Sequence, residues 1–135
     1  MEKKFSKLKN EILGKKYELS IALVSKKKSR EINKKYGKQN KATNILSFVF
    51  SKNAGEIILC PVIVRVEAKN LKCAYHKWLG FLVIHGMLHL KGFEHSSRME
   101  EAEKKYDQRY FSGNRRRVVH DTSRGRRIFK RRKKS

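Results

Sequence analysis

Three of the five histidines in the chain fall within residues 85–95, at the spacing H-x3-H-x5-H. His85 and His89 are four residues apart, so on a helix they lie one turn apart on the same face. Their ring nitrogens can then bind one tetrahedral ion at about 2.0–2.1 Å. Gly92 is expected to end the helix in a left-handed conformation, so that His95 returns as a third ligand. Three protein ligands leave one coordination position open for water, which is the pattern of catalytic zinc.

A simpler interpretation treats these histidines as hydrogen-bonded core residues. A pair of histidines four residues apart arises by chance fairly often. A third histidine just past a helix-ending glycine is much harder to obtain by chance, so the spacing favours a metal site.

The residues around the histidines resemble a known signature. Residues 85–95 read HGMLHLKGFEH, which is similar to the H-G-x-L-H-L-x-G-[YF]-[DE]-H motif of the YbeY family. That family comprises bacterial and organellar single-strand endoribonucleases, which are also described as ribosomal RNA maturation factors. Residues 43–48 (TNILSF) and 55–60 (GEIILC) resemble two further family segments, with Glu56 in place of an aspartate. The resemblance covers roughly residues 17–111.

The resemblance implies metal-assisted hydrolysis of RNA phosphodiester bonds. One Zn²⁺ per chain is expected, with His85, His89 and His95 holding both the ion and its water. Zinc bound by neutral imidazoles can lower the pKa of its water towards about 7. The RNA 2′-hydroxyl is a competing nucleophile, and sites with three histidines also accept nickel, cobalt or iron. Each ligating histidine should donate its other ring N–H to an acceptor that the sequence does not identify.

One departure from the family pattern bears on activity. Relatives read Y-R-x-K-D-x-P-T before the first hairpin strand, and Gly37 stands where they have the arginine that is implicated in activity. The neutralisation of phosphate charge would pass to Lys38, Lys41 or Arg65, although lysine lacks the bidentate fork of arginine. This departure favours an alternative, a non-catalytic ribosome-assembly factor that binds ribosomal RNA and is stabilised by its metal.

A second alternative is a metallopeptidase. The histidine spacing is also that of the metzincins, H-E-x-x-H-x-x-G-x-x-H, whose glutamate is the general base. Gly86 occupies that position and cannot accept a proton. Glu56 and Glu94 are the other candidates for a general base, and neither is favoured.

The charge favours an RNA partner. The chain has 35 Lys and Arg against 12 Asp and Glu, for a formal net charge of +23. Residues 114–135 carry eight Arg and three Lys against one Asp, and Arg115, Arg116 and Arg117 are candidates for RNA binding. Single-stranded ribosomal RNA, on the small ribosomal subunit, is the expected partner, and binding should weaken steeply as salt rises. An anionic membrane surface is the alternative partner, although no apolar run approaches the roughly 20 residues that span a bilayer.

Hydrophobic periodicity predicts an α+β fold, a small mixed β-sheet flanked by helices. The metal site is expected on the long helix 72–90 and the loop after it. Strands are expected at 17–24, 45–50 and 56–60, and the last two should form an antiparallel hairpin. Other helices are expected at 2–13, 26–36, 61–70 and 98–111. A single domain is predicted for residues 1–112, followed by a basic and flexible tail, 113–135.

The expected location is the cytoplasm. The first residues have no apolar region typical of a secretory signal. Cys60 and Cys73 form neither a CxxC pair nor a disulfide framework, so two buried or partly buried thiols are expected. The oligomeric state stays open.

Overall fold

The computed structural model describes residues 2–37, 39–92, 97–111 and 126–130. The described helices are α1 (Glu2–Ile12), α2 (Lys26–Ile32), α3 (Pro61–Asn70), α4 (Tyr75–Lys91) and α5 (Ser97–Phe111). The described strands are β1 (Glu18–Leu23), β2 (Ile45–Ser51), β3 (Ala54–Leu59) and β4 (Arg126–Lys130). A π-helical segment, Asn33–Gly37, follows α2. The predicted α+β class is confirmed.

The sheet has the strand order β1-β3-β2-β4. Strands β2 and β3 are antiparallel and are joined by a turn at Lys52 and Asn53, which confirms the predicted hairpin. Strand β1 runs parallel to β3, so the sheet is mixed. Strand β4 runs parallel to β2 on its other side.

A flexible tail was predicted after residue 112, and the structure contains β4 within that stretch. The reason for the difference is that the outer edge of β2 offers N–H and C=O groups to a further strand. That edge exists only once the sheet has formed, so local periodicity does not reveal it. The domain boundary at residue 112 stays a prediction.

The two faces of the sheet pack against different helices. Side chains alternate between faces along a strand. Ile45 and Ile57 belong to the main core, which includes Leu82, Val83 and Met87 of α4. The same core contains residues of α1 and α5, namely Leu8, Ile12 and Met99. The opposite face forms a smaller cluster of Leu46, Phe48 and Ile58, packed by Ile32 and Tyr36.

The helices largely begin and end where the sequence predicts. Ser25 caps α2, because its side chain accepts a hydrogen bond from the backbone N–H of Lys28 at 3.0 Å. Pro61 is the first residue of α3, where its missing N–H costs nothing. Helix α4 begins at Tyr75 rather than at residue 72, because Lys72 has a φ of 56° and interrupts the helical path.

No helix in the described ranges has both the length and the apolar character needed to cross a membrane. Cys60 is buried and Cys73 is partly buried, as predicted.

Candidate metal centre

Helix α4 is a buried scaffold for two of the three histidines. Its residues from Trp78 to Leu90 are buried with one exception, the partly buried Phe81. A helix that is apolar around most of its circumference is held by its neighbours on every side. His85 is 1% exposed and His89 is 7% exposed, so both imidazoles sit inside this packing. The scaffold therefore fixes their positions more firmly than a loop would.

The two imidazoles face each other through the same ring atom. Nε2 of His85 and Nε2 of His89 are 2.9 Å apart, and the ring planes make an angle of 76°. Two ligands of a tetrahedral zinc ion, each at about 2.0–2.1 Å, have nitrogens about 3.3 Å apart. The pair is therefore within about half an ångström of the separation that one shared ion requires. This geometry fits a metal ion.

Glu103 of α5 contacts the other nitrogen of His85. Its carboxylate Oε2 is hydrogen-bonded to Nδ1 of His85, and both side chains are buried. Because a carboxylate accepts, Nδ1–H donates, and the lone pair of this ring is then on Nε2. A carboxylate behind a histidine fixes its tautomer and raises its basicity as a ligand. Glu103 thus supplies the acceptor that was expected for this histidine but could not be identified from the sequence.

A sequence signal for Glu103 existed. Met99, Ala102 and Tyr106 recur at helical spacing and form an apolar face of α5, and Glu103 lies on that same face. A carboxylate at a core-facing position is seldom buried without a partner. Met99 is 1% exposed and Glu103 is 3% exposed, so the apolar face does carry the carboxylate inward.

Helix α5 is also tied to α1. The guanidinium of Arg109 donates from Nη1 to both carboxylate oxygens of Glu11, at 2.9 and 2.8 Å. This pairing raises the pKa of Arg109. Both side chains are substantially exposed, so the pair orients α5 more than it stabilises the fold.

Gly92 ends α4 as the sequence predicts. Its φ is +111°, and its N–H donates to the carbonyl of His89 at 2.9 Å. A Cβ at this position would meet no atom within 4 Å, so backbone conformation rather than space requires the glycine. The predicted third ligand, His95, and its neighbour Glu94 lie outside the described residues. Within the described ranges, no group of three His, Cys, Asp or Glu residues is arranged to hold a metal.

Gly86 allows α4 to lie directly on the sheet. A Cβ at this position would be 3.1 Å from Cδ1 of both Ile45 and Ile57, and 3.2 Å from Oγ of Ser47. These distances are shorter than ordinary van der Waals contacts, so the close approach depends on the missing side chain. A glutamate here, as in a metzincin, would point into the core of the sheet.

The loop before β2 is held by buried polar side chains. Oγ of Ser29 donates to the carbonyl of Thr43 and accepts from its N–H, both at 2.9 Å. Nδ2 of Asn33 donates to the carbonyl of Lys41 at 2.9 Å. The Lys41 side chain is exposed, so the loop presents it to solvent from a fixed backbone. The other predicted loop lysine, Lys38, lies outside the described residues.

The end of that loop is linked to α3 and α4 through one carboxylate. Oε1 of Glu67 accepts from Nδ2 of Asn44 at 2.9 Å and from Nε1 of Trp78 at 3.0 Å. No sequence pattern predicted this network. It connects the start of β2 to the first half of the helix that carries the histidines.

Two of the predicted residues lie away from the histidine pair. The Arg65 guanidinium lies 4.4 Å from the ring centroid of Tyr75, the first residue of α4. His85 is ten residues further along that helix, or about 15 Å along its axis. Glu56 lies on the opposite sheet face from Ile57, near Phe48, and accepts a hydrogen bond from Ser20 at 3.4 Å. The structure therefore brings neither residue to the metal centre.

The remaining predicted RNA-binding residues, Arg115, Arg116 and Arg117, lie outside the described residues.

Comparisons with known proteins identify the family to which a chain with this centre is similar. Residues 1–112 match the protein-family model described as Endoribonuclease YbeY.

Curated relatives named Endoribonuclease YbeY include one from Bdellovibrio bacteriovorus, 34% identical over 87 residues, covering 63% of this chain and 58% of the relative. A second, from Staphylococcus carnosus, is 32% identical over 98 residues and covers 64% of both. The chain thus spans less than two thirds of the length of these relatives. The solution structure of TM1509 from Thermotoga maritima has a TM-score of 0.64 and 30% identity, covering 82% of this chain and 78% of that one.

Proposed function

The chain belongs to the YbeY endoribonuclease family, and on that premise we propose that it is a zinc-dependent single-strand endoribonuclease. We propose that it acts in ribosomal RNA maturation and ribosome biogenesis in the cytoplasm, on RNA of the small subunit. The observation that carries the proposal is the pair of Nε2 atoms 2.9 Å apart, with Glu103 bound to the far side of one ring.

His85, His89 and His95 would hold the zinc ion. Bound zinc supplies a Lewis acid for a phosphate oxygen and lowers the pKa of water to about 7. Glu103 keeps the Nδ1 proton on His85, so that Nε2 stays available as a ligand. The apolar side chains of α4 exclude water from the back of the site and hold the rings in place. Gly86 lets α4 pack closely against β2. The loop that carries Lys41 leads directly into β2, so this packing also fixes the position of the loop relative to α4.

The positive charge supports RNA as the substrate. With 35 basic and 12 acidic residues, the chain attracts polyanions strongly at low salt. We propose that phosphates contact Lys38, Lys41 and the arginines 115–117. Arg65 would contact RNA only at a distance from the metal centre. Affinity for RNA should then fall steeply with salt, because each neutralised phosphate releases counterions.

A second candidate function is supported by Gly37. This residue ends the π-helical segment where relatives have an arginine, and glycine supplies no charge for a phosphate. A metal-loaded protein that binds ribosomal RNA without cutting it would be an assembly factor. The metallopeptidase alternative is opposed by Gly86, whose position faces the sheet.

The proposal is tested by cleavage of single-stranded RNA by wild type, His89→Ala and His76→Ala, with the metal content of each preparation measured. His76 is an exposed histidine in the first turn of α4, so its replacement controls for the loss of an imidazole. We expect His89→Ala to lose both zinc and cleavage, while His76→Ala keeps both.

Two other results would decide between the candidates. Cleavage that persists in zinc-free His89→Ala would contradict the proposed hydrolase. Stoichiometric zinc and salt-sensitive RNA binding without any cleavage in wild type would instead support the assembly factor.

A further inference from the structure

The strand β4 turns part of the basic tail into the outermost strand of the sheet. It pairs in parallel with β2 over five positions, from Arg126 beside Ile45 to Lys130 beside Val49. Among the described ranges, no strand pairs with the outer side of β4. An edge strand of this kind presents backbone N–H groups that a partner can bind.

This edge lies next to the helix that carries the histidines. Helix α4 crosses the sheet at Gly86, where a Cβ would approach Ile45 and Ser47 of β2. Strand β4 lies one strand spacing, about 4.8 Å, beyond β2. It is also in contact with both α4 and the π-helical segment. The tail strand thus lies against the helix that carries the histidine pair and against the π-helical segment Asn33–Gly37.

The composition of β4 suits a polyanion. Three of its five residues are basic, in the order Arg-Arg-Ile-Phe-Lys. Phosphates accept hydrogen bonds from arginine, lysine and backbone N–H groups alike.

We propose that β4 is a docked RNA-binding edge, which holds the phosphate backbone of single-stranded RNA beside the metal centre. The strand is in place before RNA arrives, so binding does not require the whole tail to fold on its ligand. The inference rests on the proposed function for the identity of the polyanion. It adds to that function a fixed binding surface at the edge of the sheet. The residues of this surface lie beyond the family match, which covers residues 1–112.

The docking is tested by hydrogen–deuterium exchange of the full chain without RNA or metal. Ile128→Pro removes a backbone N–H and constrains the strand at its central residue. We expect the backbone amides of β2 (45–51) that are directed towards β4 to exchange at least ten times faster in this variant. Amides of β3, within 54–59, serve as the internal control and should keep their protection. Equal protection of β2 in both proteins would overturn the inference.

The binding role is tested by the affinity of a fluorescent oligouridylate in the presence of EDTA, over a series of salt concentrations. The triple variant Arg126→Gln, Arg127→Gln, Lys130→Gln keeps the strand and removes three charges. Its matched control removes three exposed charges elsewhere, as Lys27→Gln, Lys69→Gln, Lys72→Gln.

We expect the slope of log Kd against log salt to fall by about 2–3 for the β4 variant and by less than about 1 for the control. Ile128→Pro should also bind more weakly than wild type. Equal slopes for the two triple variants, or full affinity in Ile128→Pro, would overturn the inference. Because neither measurement involves metal or cleavage, a failure here is distinct from a failure of the proposed nuclease activity.

Discussion

Glu103 of α5 binds Nδ1 of His85, a residue 18 positions earlier in the chain, and leaves Nε2 of that ring facing His89. The pair of histidines is therefore completed by a carboxylate from a different helix. Metal affinity should depend on a residue that need not touch the metal.

Glu103→Gln is expected to lower zinc affinity by about 10–100-fold, because an amide is a weaker acceptor for Nδ1–H than a carboxylate. Competition with a chromogenic chelator measures this affinity. Glu101→Gln, an exposed change on the same helix, should leave it unaltered. Equal zinc affinities in the two variants would show that Glu103 has only a packing role.

Gly86→Glu is expected to destabilise the protein by at least about 3 kcal/mol, because it forces a charged side chain into the core of the sheet. Gly86→Ala should lie within about 1 kcal/mol of wild type, since its gain in helix propensity offsets the tighter contact. Urea unfolding measures both changes. Peptidase activity in a folded Gly86→Glu variant would contradict the orientation of this position towards the sheet.

Gly92→Ala should cost about 1–2 kcal/mol through its left-handed backbone alone, since space is available for the methyl group. Gly92→Asn should cost less, because asparagine tolerates this conformation better. The midpoints of urea unfolding rank the three proteins. A loss for Asn as large as that for Ala would argue against conformational strain as the cause.

Glu67→Ala should destabilise the fold by about 1–3 kcal/mol, because the buried donors of Asn44 and Trp78 lose their shared acceptor. Glu67→Gln keeps an acceptor oxygen and is expected to lose less. Chemical unfolding followed by the fluorescence of Trp78, the only tryptophan, gives both values. Identical losses for the two variants would point to charge rather than to the hydrogen bonds.

Local signals predicted much of the fold. The hairpin of β2 and β3, the cap at Ser25 and the stop at Gly92 all depend on residues close together in sequence. The prediction of one long helix over 26–36 was less accurate, because the backbone changes to a π-helical segment at Asn33. The buried side chain of Asn33 donates to the carbonyl of Lys41, a contact that helical periodicity does not contain.

The candidate site was also predicted only in part from local signals. The spacing of His85 and His89 was enough to predict that they face each other. Glu103 could not be assigned, since its partner lies on another helix whose packing the sequence does not specify. Glu67 was missed for the same reason, because it joins Asn44 and Trp78 from two separate elements.

The position of β4 in the sheet also sets an order of assembly. Strands β2 and β3 meet through a two-residue turn, whereas β4 pairs with residues about 80 positions earlier in the chain. During synthesis the N-terminal parts fold first, and β4 is made after the other three strands of the described sheet. The helix that carries the histidines is complete in a nascent chain before its neighbouring edge strand exists. Assembly of the described sheet therefore finishes on the side where RNA binding is proposed to occur.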